Sequence, residues 1–166
     1  MNSFMSPQGE VPSGFNLEDL PYPLHTNNEL LFMLERNKPL AHFSDAYSDE
    51  PNEDIFPEQS FAPHVASGRF VMRDFVIPDA ALSKRLPHIR GIRHLFYALS
   101  HEAWRIDAFI MMMAAAAKAG WSQGFERLEG SLLGYEEWQI DIHIERLKKR
   151  LTSDSGETAP KAGPPV

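Results

Sequence analysis

Residues 100–120 read SHEAWRIDAFIMMMAAAAKAG, and the fold turns on how that stretch is used. Ser100 stands where a helix N-cap is expected, Glu102 falls in the first turn, Lys118 in the last, and Gly120 follows as the residue that ends the helix. This spacing predicts a helix over 101–119. Its middle is apolar nearly all round, the pattern of a central, buried helix about which the other elements assemble.

Toward the C-terminus, Ser122 is placed to cap a second helix in which Phe125, Leu128 and Leu132 recur at three- and four-residue spacing until Gly134. A last helix is expected over about 135–151. Ile140, Ile144, Leu147 and Leu151 form its apolar stripe, and Glu137, Asp141 and Glu145 line another side. Lys148, Lys149 and Arg150 near its end suit the helix dipole. The fragment LEGSLLGYEEW at 128–138 resembles a bacterial-type helical hairpin, but no motif ties the chain to a named family.

Toward the N-terminus, 92–99 follows Gly91 and alternates as a strand. Leu95, Tyr97 and Leu99 share one face, and His94, Phe96 and Ala98 the other. Both faces are largely apolar, which calls for helices over one side of a sheet and partial cover on the second. The stretch 69–77 is rich in Phe, Val and Ile and stops at Pro78, and 40–43 is a shorter candidate. Asp79 can cap a short helix over 80–86, while Thr26 and Glu29 have capping-box spacing for a helix from about 27 to 37. The expected architecture is an α+β domain with about three strands, at 39–44, 68–77 and 92–99, packed against a C-terminal three-helix layer.

Between the first two strands, 44–67 holds three prolines and the acids Asp45, Asp49, Glu50, Glu53, Asp54 and Glu58, with no Lys or Arg. It reads as a solvated acidic loop pinned by Ile55, Phe56 and Phe61. With 166 residues there is room for one domain, placed at 21–151. The stretches 1–20 and 152–166 lack apolar periodicity and read as disordered tails.

A formal charge of -7 opposes general affinity for phosphate backbones. The absence of cysteine excludes disulfides, thiol nucleophiles and thiolate zinc sites. Residues 1–16 have neither the basic start nor the apolar run of a secretory signal, and the apolar stretch 108–117 is far short of the ~20 residues that cross a bilayer. A soluble cytoplasmic protein with no membrane partner is expected.

The chemistry-bearing candidates cluster at 100–107, where His101, Glu102, Arg105 and Asp107 surround Trp104. Two readings stand side by side. His101 or Glu102 could act as a general base while Arg105 holds a carboxylate or phosphate at the helix start, as in a small enzyme or ligand binder. Alternatively these are capping residues, with Arg105 paired to Glu102, Asp107 or an acid of the final helix. The seven histidines show no metal-ligand spacing, His101-Glu102 lacks the second histidine of a zincin, and no phosphate loop or dinucleotide fingerprint occurs. No metal and no cofactor are therefore expected.

Lys84, Arg85, His88, Arg90, Arg93 and His94 form a basic cluster broken into a loop by Pro87 and Gly91. It could meet nucleic acid through 84–94, or dock against the acidic segment 44–67 of the same chain. Trp104, Trp121, Tyr135 and Trp138 sit near helix starts, where aromatic residues serve either core or interface. Met111, Met112 and Met113 are core filling if buried and the mark of a partner surface if exposed. With no catalytic signature, the leading expectation is a non-enzymatic protein-interaction or regulatory module with a protein partner or self-association as a homodimer. The enzyme or ligand site at 100–107 and nucleic-acid binding at 84–94 are the alternatives.

Overall fold

The computed structural model describes residues 28–35, 38–48 and 56–154. In chain order these form α1 (Glu29–Leu34), β1 (Leu40–Ser48), α2 (Glu58–Ala66), β2 (Phe70–Pro78), α3 (Ala80–Arg85) and β3 (Ile89–Leu99). A single 3-10 turn, Ser100–Glu102, leads into α4 (Trp104–Ala119), α5 (Gln123–Leu133) and α6 (Glu137–Asp154). The three strands make one antiparallel sheet in the order β1-β3-β2, so the last strand made is the middle one. The fold is α+β.

The alternation in β3 divides the core as its sequence requires. Leu95, Tyr97 and Leu99 pack with Met33 of α1, Phe61 of α2, Ala41 and Phe70. Phe96 and Ala98 face the other way, onto Leu40, Ile106, Phe109, Met112, Leu132, Ile140 and Ile144. A strand apolar on both faces needs both faces covered, and here α1 and α2 cover one while α4, α5 and α6 cover the other.

Most of the described part of the acidic segment is regular structure, where a loop was expected. β1 continues to Ser48, and α2 occupies Glu58–Ala66, while 49–55, including Ile55, lie outside the described residues. The extension of β1 places Asp45 directly opposite Arg93, a cross-strand pairing of opposite charges that favours the ladder. The helix α2 forms despite Pro63 within it because Phe61 is buried, its ring stacked 4.0 Å from that of Tyr97. That tertiary contact outweighs the local propensity.

Strand boundaries move for related reasons. β3 begins at Ile89, so Gly91 lies inside the strand and does not open it. A Cβ at Gly91 would stand 2.2 Å from the carbonyl oxygen of Ile77, so glycine is what lets the two strands approach there. β2 includes Pro78, which an edge strand tolerates because its outer side makes no ladder hydrogen bonds. At the other end of the chain's first helix, α1 is shorter than expected, and Asn28 precedes it without a side-chain capping bond; Thr26 and Asn27 are outside the described residues.

Ser100 does not cap α4. Its backbone N–H donates to the Arg69 carbonyl at 3.1 Å and its hydroxyl to the Gly68 carbonyl, tying the end of β3 to the start of β2. The α-helix therefore starts later, at Trp104. Nor is α4 buried all round: Ile106, Phe109, Met112 and Ala116 are buried on one side, while Trp104 and Met111 are exposed. The two helices after it follow the sequence closely. The Ser122 hydroxyl accepts from Phe125 N–H, and Gly134 ends α5 at φ +91°, where a Cβ would also strike Pro39. α6 carries Ile140, Ile142 and Ile144 into the core, but Leu151 is exposed. It runs to Asp154, so residues 152–154, expected in a tail, are helical; residues 1–20 and 155–166 lie outside the described residues.

Candidate functional site

The turn at 100–107 is held by Arg105. Its Nε donates to Glu102 Oε2 at 2.8 Å, and its Nη1 donates to the carbonyls of Ser131 at 2.9 Å and Leu132 at 3.1 Å. The last carbonyls of a helix have no donor in the regular helical pattern; Arg105 donates to two of them, of which Ser131 also accepts from Gly134 N–H at 3.1 Å. The same hydrogen bond from Arg105 holds the Glu102 carboxyl below the usual carboxylate range. The guanidinium also lies 4.8 Å from the centre of the Trp104 ring. His101 is exposed, and Asp107 reaches Arg73 of β2 at 3.5 Å with both side chains more than half exposed. The four candidates thus share a turn without converging: Arg105 turns to α5 and Asp107 to β2. Glu102 and Arg105 are paired to each other, and Arg105 is bonded to the end of α5 as well.

The basic cluster is likewise divided. Arg93 donates to Asp74 through Nε at 3.0 Å and Nη2 at 2.6 Å, pairs with Glu58 at the start of α2, and lies 4.7 Å from the Phe56 ring centre. His94, next along β3, is buried on the opposite face. Lys84, Arg85 and His88 are exposed around α3. Arg93 and His94 therefore lie on opposite faces of the sheet and apart from α3, and Arg93 meets two acids of its own chain, Asp74 and Glu58.

Sequence spacing missed two polar contacts because their members are far apart in the chain. His42 Nε2 and His94 Nδ1 are 3.0 Å apart, with the rings within 8° of parallel. Phe96 stacks on His42 and Phe75 on His94, and burial lowers the His94 pKa below its ordinary value. The second is Lys38, whose Nζ donates to the Tyr135 hydroxyl at 3.1 Å; burial brings its pKa down to about 8. On α5, Glu129 is pushed up to about 7 by burial and by neighbouring Glu126. Among the described residues no group of three or more His, Asp or Glu is placed to hold a metal ion. A cavity of about 540 Å³ lies apart from these groups, between α1, α2 and β1, with Leu30, Leu34, Phe43 and Phe61 in its wall.

The outer side of α4 is the conspicuous surface. At 100° per residue, Trp104, Asp107, Met111, Ala115 and Lys118 fall on one side of the helix, opposite Ile106, Phe109, Met112 and Ala116. Trp104 is 56% exposed and Met111 72%. Asp107, Ala114, Ala115 and Lys118 are exposed as well, and Trp121, 50% exposed, stands just beyond the helix. The helix is thus apolar on two sides with only one packed. All-round apolarity in the sequence was the available signal, and burial was one of two ways to satisfy it.

No helix among the described residues is long and apolar enough to cross a membrane. Compared with known proteins, the chain matches no family model, no curated protein and no solved structure.

Proposed function

We propose that this protein is a non-enzymatic interaction module of the cytoplasm whose docking face is the outer side of α4. The observation that carries the reading is the exposure of Met111, at 72%, on a helix whose opposite side is core. A flexible thioether beside an indole is suited to partner surfaces: methionine adapts its shape, and tryptophan provides a large, rigid contact area. Contiguous apolar patches on monomeric proteins mark such sites more often than single exposed side chains do. The absence of cysteine fits a reducing compartment, where disulfides would add no stability.

The test is cross-linking and affinity capture from the native host, comparing the wild-type chain with Met111→Glu. A carboxylate at the middle of the face should abolish the recovered association while leaving the circular dichroism spectrum unchanged. Recovery of the same partners by both chains would overturn the reading.

A further inference from the structure

We infer that the occupant of the α4 face is a second copy of this chain, with its α4 packed antiparallel across a two-fold axis at Met111. This rests on the reading of that face as a docking surface. The face is self-complementary in charge, and Met111 is its midpoint.

Trp104 and Lys118 each stand seven residues from Met111, about 10.5 Å along a helix axis. In an antiparallel pair centred on Met111, Trp104 of one chain lies level with Lys118 of the partner subunit, and the same contact repeats at the other end by symmetry. Asp107 lies within one turn of the same place, so the ammonium of Lys118 of the partner subunit would sit between an indole face and a carboxylate.

Each of these groups is available. Arg105 covers one face of the Trp104 ring, at 4.8 Å, and the side chain remains more than half exposed. Lys118 is exposed and has no ion-pair partner among the described residues. Among the described residues Asp107 is engaged only by the 3.5 Å contact to Arg73.

Ala114 and Ala115 are exposed beside Met111, so two copies of the helix can approach closely there. Antiparallel packing also places the two helix dipoles head to tail. A ligand of one charge sign would satisfy Asp107 or Lys118 and oppose the other. An inverted copy of the face satisfies both.

The experiment is sedimentation velocity on the purified full-length chain over a wide concentration range, with Asp107→Lys, Lys118→Asp and Met111→Glu. All three positions are exposed, and circular dichroism confirms folding. The wild type should dimerise. Each charge variant alone should associate about tenfold or more weakly, because like charges then face each other at both ends. Mixed in equal amounts, Asp107→Lys and Lys118→Asp should recover dimer, since both end contacts again pair opposite charges.

A wild type that stays monomeric, charge variants that dimerise as the wild type does, or a mixture no stronger than its components would each overturn the inference. If the wild type is monomeric yet Met111→Glu still abolishes capture of a host protein, the occupant is foreign: this inference falls and the docking reading stands. If Met111→Glu changes neither readout, both fall.

Discussion

The ammonium of Lys38 donates to the hydroxyl of Tyr135 at 3.1 Å, fastening the segment before β1 to the segment before α6. Both residues are buried, so the contact satisfies a charge that has lost its water. Tyr135→Phe should destabilise the protein by roughly 1–3 kcal/mol, the cost of leaving a buried donor without its acceptor. Urea unfolding at neutral pH measures it, and a loss below a few tenths of a kcal/mol would refute it.

Burial depresses the same lysine to about 8 from 10.5. Between those values the unfolded chain holds more protons at this site than the folded chain, so the lysine's contribution to stability should increase as pH rises from about 8 to 10.5. Lys38→Met should remove that part of the pH dependence. Urea midpoints for both chains at pH 7.5 and 10 provide the comparison, and parallel trends would count against it.

The His42–His94 contact leads to the opposite end of the pH scale. A hydrogen bond between two ring nitrogens needs one N–H and one lone pair, and burial lowers the His94 pKa below 6.5. The folded state then binds fewer protons here than the unfolded state, so stability from this site is present above 6.5 and lost as pH falls through the folded value. Glu129, raised from 4.5 to about 7, works in the other direction: its contribution is full below 4.5 and lost as pH rises toward 7. The diagnostic is therefore a difference. Thermal melting between pH 7.5 and 5 should fall more steeply for the wild type than for His94→Phe.

Arg105 bonds two carbonyls of α5 as well as Glu102. Arg105→Ala should cost about 1.5–3 kcal/mol, the range for hydrogen bonds to a charged group. Asp107→Ala, on an exposed side chain, should stay within about 0.5 kcal/mol. Equal losses in chemical denaturation would mean that Arg105 is not a structural clasp.

Two glycines should respond with opposite signs. At Gly91 a Cβ would be 2.2 Å from Ile77 O, so alanine must push β2 from β3, a loss of about 1–3 kcal/mol or more. At Gly124, inside α5, the nearest atom would be Ser122 Oγ at 3.6 Å, so alanine should stabilise by up to about 1 kcal/mol through helix propensity. Equilibrium unfolding of the two variants decides the matter.

Where local physics sets the structure, the sequence was legible. The alternation of 94–99 assigned those six residues of β3 to the faces they occupy, and Asp79, Ser122 and Gly134 stand at the helix ends their chemistry favours. The helix α2 was not legible, because Phe61 anchors it against Tyr97 across the sheet. Nor were the His42–His94 and Lys38–Tyr135 contacts, whose members lie 52 and 97 residues apart. At 100–107 the residues were visible but their partners were not: the acceptors that claim Arg105 belong to α5. In α4, methionine and alanine signal apolarity without saying whether protein or water lies beyond it.

Among the described residues both outer strands pair only with β3, which is the last of the three to leave the ribosome. A growing chain that stops short of residue 89 has two strand-forming segments and no template to receive them. Synthesis must reach β3 before this ladder closes, and until then the early hydrophobic segments lack the cover it gives them.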